Sequence, residues 1–255
     1  MKPAEFDFKW SMKDSETLQI NDDRINELLR FSRLPATWFK GKNALDVGCG
    51  VGRLTWALQQ LGAEVDSFDI SPVGVERTRR FNPRAYVFDL MDLRENRAYD
   101  FVISWGVLHH TENPRLAFRK VAGQVRKGGY LLVMLYHRGT QWRYEERRKL
   151  WPDLSHEQRL ALCQQHADKF GGSVQEWWDA FSPKYNWSFL PSEIVGWFRE
   201  EGFGDVTMTN RFSVNMRGAY TGERMGFRPS LLQLEDAYWL ARLWVRRVLK
   251  RGARP

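Results

Sequence analysis

The sequence has only two cysteines, Cys49 and Cys163, and neither stands in a CxxC pair or a Cys/His cluster. A disulfide-stapled secreted scaffold and a zinc module are therefore excluded, no metal is expected, and a reducing compartment is the default. Long apolar runs are also missing. The longest, Tyr130 to Tyr136, falls far short of the roughly 18 residues of a membrane span. The acidic, aromatic start from Met1 to Trp10 lacks the apolar stretch of a signal peptide, so a cytoplasmic location is expected. No repeat or low-complexity block interrupts the chain, whose 255 residues fit a single domain, 1–255, carrying an insertion.

Positive charge and tryptophan are plentiful. A net charge of +8 permits an anionic partner such as RNA or an anionic membrane surface without identifying one. Twelve tryptophans supply core and pocket walls and also suit flat or amphipathic ligands.

From Asn43 to Tyr136 short apolar runs alternate with helical patterns, the rhythm of a parallel sheet with crossover helices. The strand candidates are Asn43 to Val47, Glu64 to Phe68, Ala85 to Phe88, Tyr99 to Trp105 and Tyr130 to Tyr136. Upstream, Ile25, Leu28 and Leu29 give Asp22 to Phe31 an apolar helical face that covers the sheet or the ligand mouth. After Tyr136 the rhythm breaks. Ser155 with Gln158, and Ser173 with Glu176, carry the capping-box signature of helix starts and mark a helical insertion. Helix then strand resumes at Pro191 to Glu201 and Asp205 to Thr209, with an antiparallel partner from Arg211 to Met216. Leu231 to Lys250 reads as a closing helix with Leu231, Leu234, Tyr238, Trp244, Val245 and Val248 on one side and Arg242, Arg246, Arg247 and Lys250 on the other. The expected organisation is an N-terminal helical cover (1–40), a ligand-binding core (41–137), a helical lid (138–190), the end of the sheet (191–217) and a basic C-terminal helix (228–255).

The sharpest feature is Leu45-Asp46-Val47-Gly48-Cys49-Gly50-Val51-Gly52-Arg53-Leu54-Thr55, a strand passing through a glycine-rich turn into a helix. Such a turn lets main-chain amides line a small polar ligand at a helix N-terminus. A dinucleotide fingerprint requires glycine where Arg53 stands, and no GK[ST] follows for a nucleotide triphosphate. Asp46 beside the turn adds no attraction for a pyrophosphate and better suits a ligand bearing an ammonium group.

The order of motifs resembles the class I S-adenosylmethionine-dependent methyltransferases, of the small-molecule type. The likeness runs from the acidic strand and GxGxG turn through Asp69 and Asp89, then Tyr99-Asp100-Phe101-Val102-Ile103-Ser104, Gly106-Val107-Leu108-His109-His110, and Arg126-Lys127-Gly128-Gly129-Tyr130-Leu131. Lys127 departs from the proline that many relatives carry at that turn. The resemblance implies an α/β, Rossmann-like fold: a mostly parallel seven-stranded sheet with helices on both faces, plus the helical insertion after the fifth strand. It implies S-adenosylmethionine as cofactor and S-adenosylhomocysteine as product. Carried over residue by residue, Asp46, Gly48, Cys49, Gly50 and Gly52 would surround the methionyl end, Asp69 with Ile70 the ribose, and Asp89 with Leu90 the adenine, with Ser104 and Trp105 beside them.

Each assignment has a structural alternative. Asp46 holds loop amides, Asp69 with Ser71 caps a helix, Asp89 is a surface residue before a helix start, and Cys49 is a small filler with no activating partner. His109 and His110 stand where the resemblance places the acceptor; an imidazole there takes a proton from a nucleophile or serves only packing. His137, Trp142, Tyr144 and Tyr185 are the candidate acceptor contacts, set among the basic residues Arg143, Arg147, Arg148 and Lys149. The [DN]PPY segment that positions an exocyclic amine is absent after the fourth strand. The expected reaction is methyl transfer to an O, N or C nucleophile of a small, aromatic or anionic acceptor. RNA methylation and non-catalytic cofactor binding are the alternatives.

Overall fold

The computed structural model describes residues 3–12, 20–210, 213–223 and 236–241, with the side chains of 3–5, 142 and 143 outside that set. Seven strands form one sheet in the order β3-β2-β1-β4-β5-β7-β6. They are β1 (Asn43–Val47), β2 (Glu64–Asp69), β3 (Ala85–Val87), β4 (Tyr99–Trp105), β5 (Val125–Leu135), β6 (Phe203–Asn210) and β7 (Val214–Tyr220). The first five pair in parallel, and β7 runs antiparallel to both β5 and β6.

Side chains alternate along the strands between two cores. Leu45, Val47, Val102, Leu131 and Val133 face α5 (Pro114–Ala122) and α9 (Pro191–Glu200), where Phe118, Ile194 and Phe198 complete one core. Ala44, Phe101, Ile103 and Leu132 face α2 (Asp22–Ser32) and α3 (Arg53–Gln60), where Leu28, Phe31, Ala57 and Leu58 complete the other. Both faces of the parallel strands are thereby covered, which explains their nearly continuous apolar sequence.

Helix starts follow local chemistry. Ser71 caps α4 (Pro72–Arg79) by accepting from Gly74 N at 3.2 Å, and Asn113 caps α5 by accepting from Leu116 N at 3.0 Å, each with proline at the start of its helix. Both capping boxes of the insertion are formed, at Ser155/Gln158 and Ser173/Glu176. The insertion consists of α6 (Arg138–Leu150), α7 (His156–Phe170) and α8 (Val174–Phe181), and a further helix, α1 (Pro3–Ser11), precedes α2.

Strand β5 starts at Val125 and not at Tyr130, because its register against β4 shifts between Tyr99 and Phe101 and absorbs the Arg126-Lys127-Gly128-Gly129 turn into the strand. It ends at Leu135, one residue before the expected Tyr136. Residues 211–212 lie outside the described residues, and β7 begins at Val214 and extends to Tyr220, beyond the expected end at Met216. Of the expected closing helix, residues 236–241 are helical; the flanking positions, including Leu231, Leu234, Trp244, Val245, Val248 and the basic Arg242, Arg246, Arg247 and Lys250, lie outside the described residues. Among the described residues no helix is long and apolar enough to cross a membrane.

Candidate cofactor and acceptor site

A cavity of about 340 Å3 opens at the carboxyl ends of β1, β2 and β4. The strand order reverses between β1 and β4, and open α/β sheets bind ligands at this kind of crevice.

The glycine loop forms its floor. Gly48 has φ +77°, and a Cβ there would sit 2.3 Å from Val107 Cγ2; Gly50 has φ +55°, and a Cβ there would sit 2.5 Å from Trp10 Cζ2. Both positions need glycine for backbone conformation and for space. The N–H groups of Gly48 and Cys49 both donate to the Phe68 carbonyl, at 2.8 and 3.0 Å, tying the loop to the end of β2.

Four aspartates line the wall, three of them at or just after the ends of β1, β2 and β3. Asp46 is 2% exposed and accepts from Thr55 Oγ1 at 2.8 Å. Burial pushes its carboxyl up to about 6, aided by the charge of Asp69 and opposed by the Thr55 hydrogen bond. Asp69 accepts from Gly50 N and Ser71 N, each at 2.8 Å, and burial raises its carboxyl against those bonds. Asp89 accepts from Met91 N at 2.9 Å and caps the short turn at Leu90–Asp92. Backbone hydrogen bonding and wall position thus coexist in Asp69 and Asp89, because each carboxylate oxygen has more than one lone pair, while the cap of α4 is Ser71 and not Asp69. Cys49, Ile70, Leu90 and Trp105 share the wall, and the Trp105 ring packs 4.8 Å from that of Phe31 on α2.

His110 is on the wall and nearly fully buried, with Nδ1 2.9 Å from the Tyr185 carbonyl. A carbonyl accepts and never donates, so Nδ1 carries the proton and the neutral ring keeps its lone pair on Nε2. Nε2 meets no hydrogen-bond partner among the described residues. Burial lowers the ring's pKa to about 4, with Asp179 opposing that fall.

The other sequence candidates lie elsewhere. Gly50 and Gly52 shape the loop from behind the wall, and Ser104 is buried within the sheet. His109 is stacked on Tyr136 with ring centroids 3.7 Å apart and is fully buried behind the wall. His137 caps α6 by accepting from Gly139 N at 2.9 Å, and its ring meets Trp239. Tyr144 packs with Trp177 and Phe181 inside the insertion, whose aromatics fill a small core of their own around Trp151, Cys163 and Trp178. Tyr185 contributes its carbonyl, and the Trp142 side chain lies outside the described residues. A chain of helical insertion must bury its own apolar face, and that demand takes up the rings that a ligand pocket would have used.

Several wall residues were not among the sequence's site candidates: Phe6, Lys9 and Trp10 of α1, Arg24 and Glu27 of α2, Arg53, Val107, Met134, and Gln175, Glu176 and Asp179 of α8. Arg24 and Glu27, paired at 2.9 Å, break the apolar face of α2 and were the one visible clue. The wall holds six carboxylates (Glu27, Asp46, Asp69, Asp89, Glu176, Asp179) against three cations (Lys9, Arg24, Arg53). That balance favours a cationic ligand. A small molecule bearing ammonium and sulfonium groups fits the acidic wall and the cramped glycine floor, and Arg24 and Arg53 stand on the same wall. Among the described residues no cluster of His, Cys, Asp or Glu could hold a metal ion.

Comparison with known proteins identifies the family of the chain. A family model described as a methyltransferase domain matches residues 20–207. The ubiquinone biosynthesis O-methyltransferase of Proteus mirabilis is 33% identical over 127 residues, 46% of this chain and 52% of that protein. The tRNA U34 carboxymethyltransferase of Pseudoalteromonas translucida is 32% identical over 102 residues, 37% of this chain and 32% of that protein. The chain thus spans about half or less of the length of these relatives. Among solved structures, the magnesium protoporphyrin IX methyltransferase of Synechocystis PCC 6803 with bound S-adenosylhomocysteine superposes with a TM-score of 0.51 at 17% identity, covering 85% of this chain and 93% of that one. An O-methyltransferase family protein from Burkholderia thailandensis gives 0.54 at 16% identity, covering 81% and 58%. The chain belongs to the methyltransferase-domain family, the class I S-adenosylmethionine-dependent methyltransferases.

Proposed function

We propose that the protein transfers the methyl group of S-adenosylmethionine to a small-molecule acceptor whose hydroxyl or amine gives its proton to His110. The observation that carries this reading is the His110 ring: Nδ1 is committed to the Tyr185 carbonyl at 2.9 Å, while Nε2 has no hydrogen-bond partner among the described residues and the residue stands on the cavity wall. Asp69 and Asp89 would take the ribose and adenine, Asp46 would face the ammonium group, and Arg24 or Arg53 the carboxylate. Bound there, S-adenosylmethionine supplies an electrophilic methyl group. The chain's own work is to position the acceptor, exclude water and hold a proton at His110 Nε2.

An RNA acceptor is disfavoured by the wall itself, where carboxylates outnumber cations. The test is transfer of radiolabelled methyl from S-adenosylmethionine to a panel of hydroxylated and amino small molecules, with a transcribed tRNA pool alongside. His110→Asn is expected to lower turnover by about 10^2- to 10^4-fold while S-adenosylhomocysteine still binds. Label confined to the tRNA, label nowhere, or full turnover by the variant would each overturn this reading.

A further inference from the structure

Gln175 and Asp179 lie one turn apart on α8, and both reach Lys9 of α1. Gln175 Nε2 donates to the Lys9 carbonyl at 3.0 Å, and Lys9 Nζ lies 2.7 Å from Asp179 Oδ1. Trp178 and Phe181 of the same helix are buried in the core of the insertion, which fixes the face that Asp179 presents. Lys9, Asp179 and His110 all line the cavity, and the Phe6 ring, on the helix that carries Lys9, lies 6.0 Å from the His110 ring.

The proposed transfer moves charge onto His110. As the acceptor's oxygen or nitrogen bonds to the methyl carbon, its proton passes to Nε2, and the electron pair of the broken sulfur–carbon bond stays on sulfur. The positive charge of the sulfonium thus reappears on the imidazole, in a buried site where an uncompensated ion is costly. The other rings against His110 carry no charge to offset it: His109 at 4.2 Å is kept neutral by burial, and burial keeps the proton on the Tyr136 hydroxyl at 5.3 Å. Of the charged groups, Asp179 of α8 favours the protonated ring, whereas Lys9 of α1 and Arg148 of α6 oppose it. Burial pushes the Asp179 carboxyl up, but Lys9 foremost, with His110 and Arg53, holds it below the usual carboxylate range. The carboxylate is therefore ionised at neutral pH before the proton arrives.

We propose that Asp179 is a positioning residue of the transfer: its carboxylate, set in place by Lys9, is the countercharge that stabilises His110 while Nε2 holds the acceptor's proton. The proposal rests on the His110 reading above.

Nitrogen-15 spectra of the full chain without ligand at pH 4, with the fold checked by near-ultraviolet circular dichroism, test it in the wild type, Asp179→Asn, Asp179→Asn combined with Lys9→Met, and Asp179→Glu. In the wild type the His110 ring is expected to be about half protonated. In Asp179→Asn it is neutral, because the anion is gone and the Lys9 cation remains, and the proton affinity of Nε2 falls about tenfold. Adding Lys9→Met removes that cation and restores part of the protonation, and Asp179→Glu restores most of it. At pH 7, kcat for the small molecule that takes label in the transfer assay follows the same order, about tenfold lower in Asp179→Asn, and this order serves where a variant unfolds at pH 4. A role confined to packing predicts the reverse, with the double variant the most impaired because both members of the pair are lost. An Asp179→Asn ring as protonated as in the wild type, or a double variant no better than Asp179→Asn, overturns the proposal. Full turnover by His110→Asn is a separate outcome that removes the His110 reading and the proposal with it.

Discussion

Asp69 Oδ2 accepts the Gly50 N–H at 2.8 Å, so the carboxylate at the end of β2 holds the glycine loop in shape while standing on the cavity wall. Asp69→Ala is expected to weaken S-adenosylmethionine binding by roughly ten- to a hundredfold, through a lost ligand bond and a slackened loop. Calorimetric titration of the folded variant measures this; unchanged affinity would remove Asp69 from the site.

The Asp46 carboxyl, raised from 3.8 to about 6, makes binding pH-dependent. Its folded-state value lies above the unfolded one, so its contribution to stability is full below 3.8 and is lost as pH rises through about 6. The ammonium of a bound ligand favours the ionised form and reverses that loss. Affinity should therefore fall about tenfold from pH 7 to roughly pH 5, with proton release on binding near pH 6. Calorimetry near pH 6 in two buffers of different ionisation enthalpy reads the released proton, and equal heats would contradict the assignment. Asp69, also raised, adds in the same direction.

Gly48→Ala places a Cβ 2.3 Å from Val107 Cγ2 at a φ of +77°. At least a tenfold loss of cofactor affinity is expected, and Val107→Ala in the same chain should restore part of it. The second change removes the clash and leaves the left-handed backbone cost of roughly 1–2 kcal/mol. A double variant no better than Gly48→Ala would show that the clash is not what limits binding.

Nitrogen-15 spectra of the histidine rings at pH 7 should show His110 neutral with its proton on Nδ1, assigned by its disappearance in His110→Asn. The Tyr185 carbonyl imposes this tautomer. A ring protonated on Nε2 would leave no base for the acceptor's proton.

The sequence by itself determined the sheet and the loop. Apolar runs such as Phe101 to Trp105, the glycines around Cys49, and the caps at Ser155 and Ser173 act through neighbouring residues, and local spacing carries that information. Its motif order, by resemblance to a known family, also singled out the aspartates 46, 69 and 89, and the topology brings these strand-end residues to one crevice. Only the tertiary structure decided which remaining side chains reach that crevice. Tyr144 and His137 read as ligand contacts until the insertion's need for its own core and helix cap claimed them. Lys9 and Asp179 stand far apart in the chain and lie 2.7 Å apart in space, a pairing no local pattern encodes. Likewise His109 and His110 are adjacent in sequence and alike in chemistry; the stack of one on Tyr136 and the bond of the other to Tyr185 separate packing from the cavity wall.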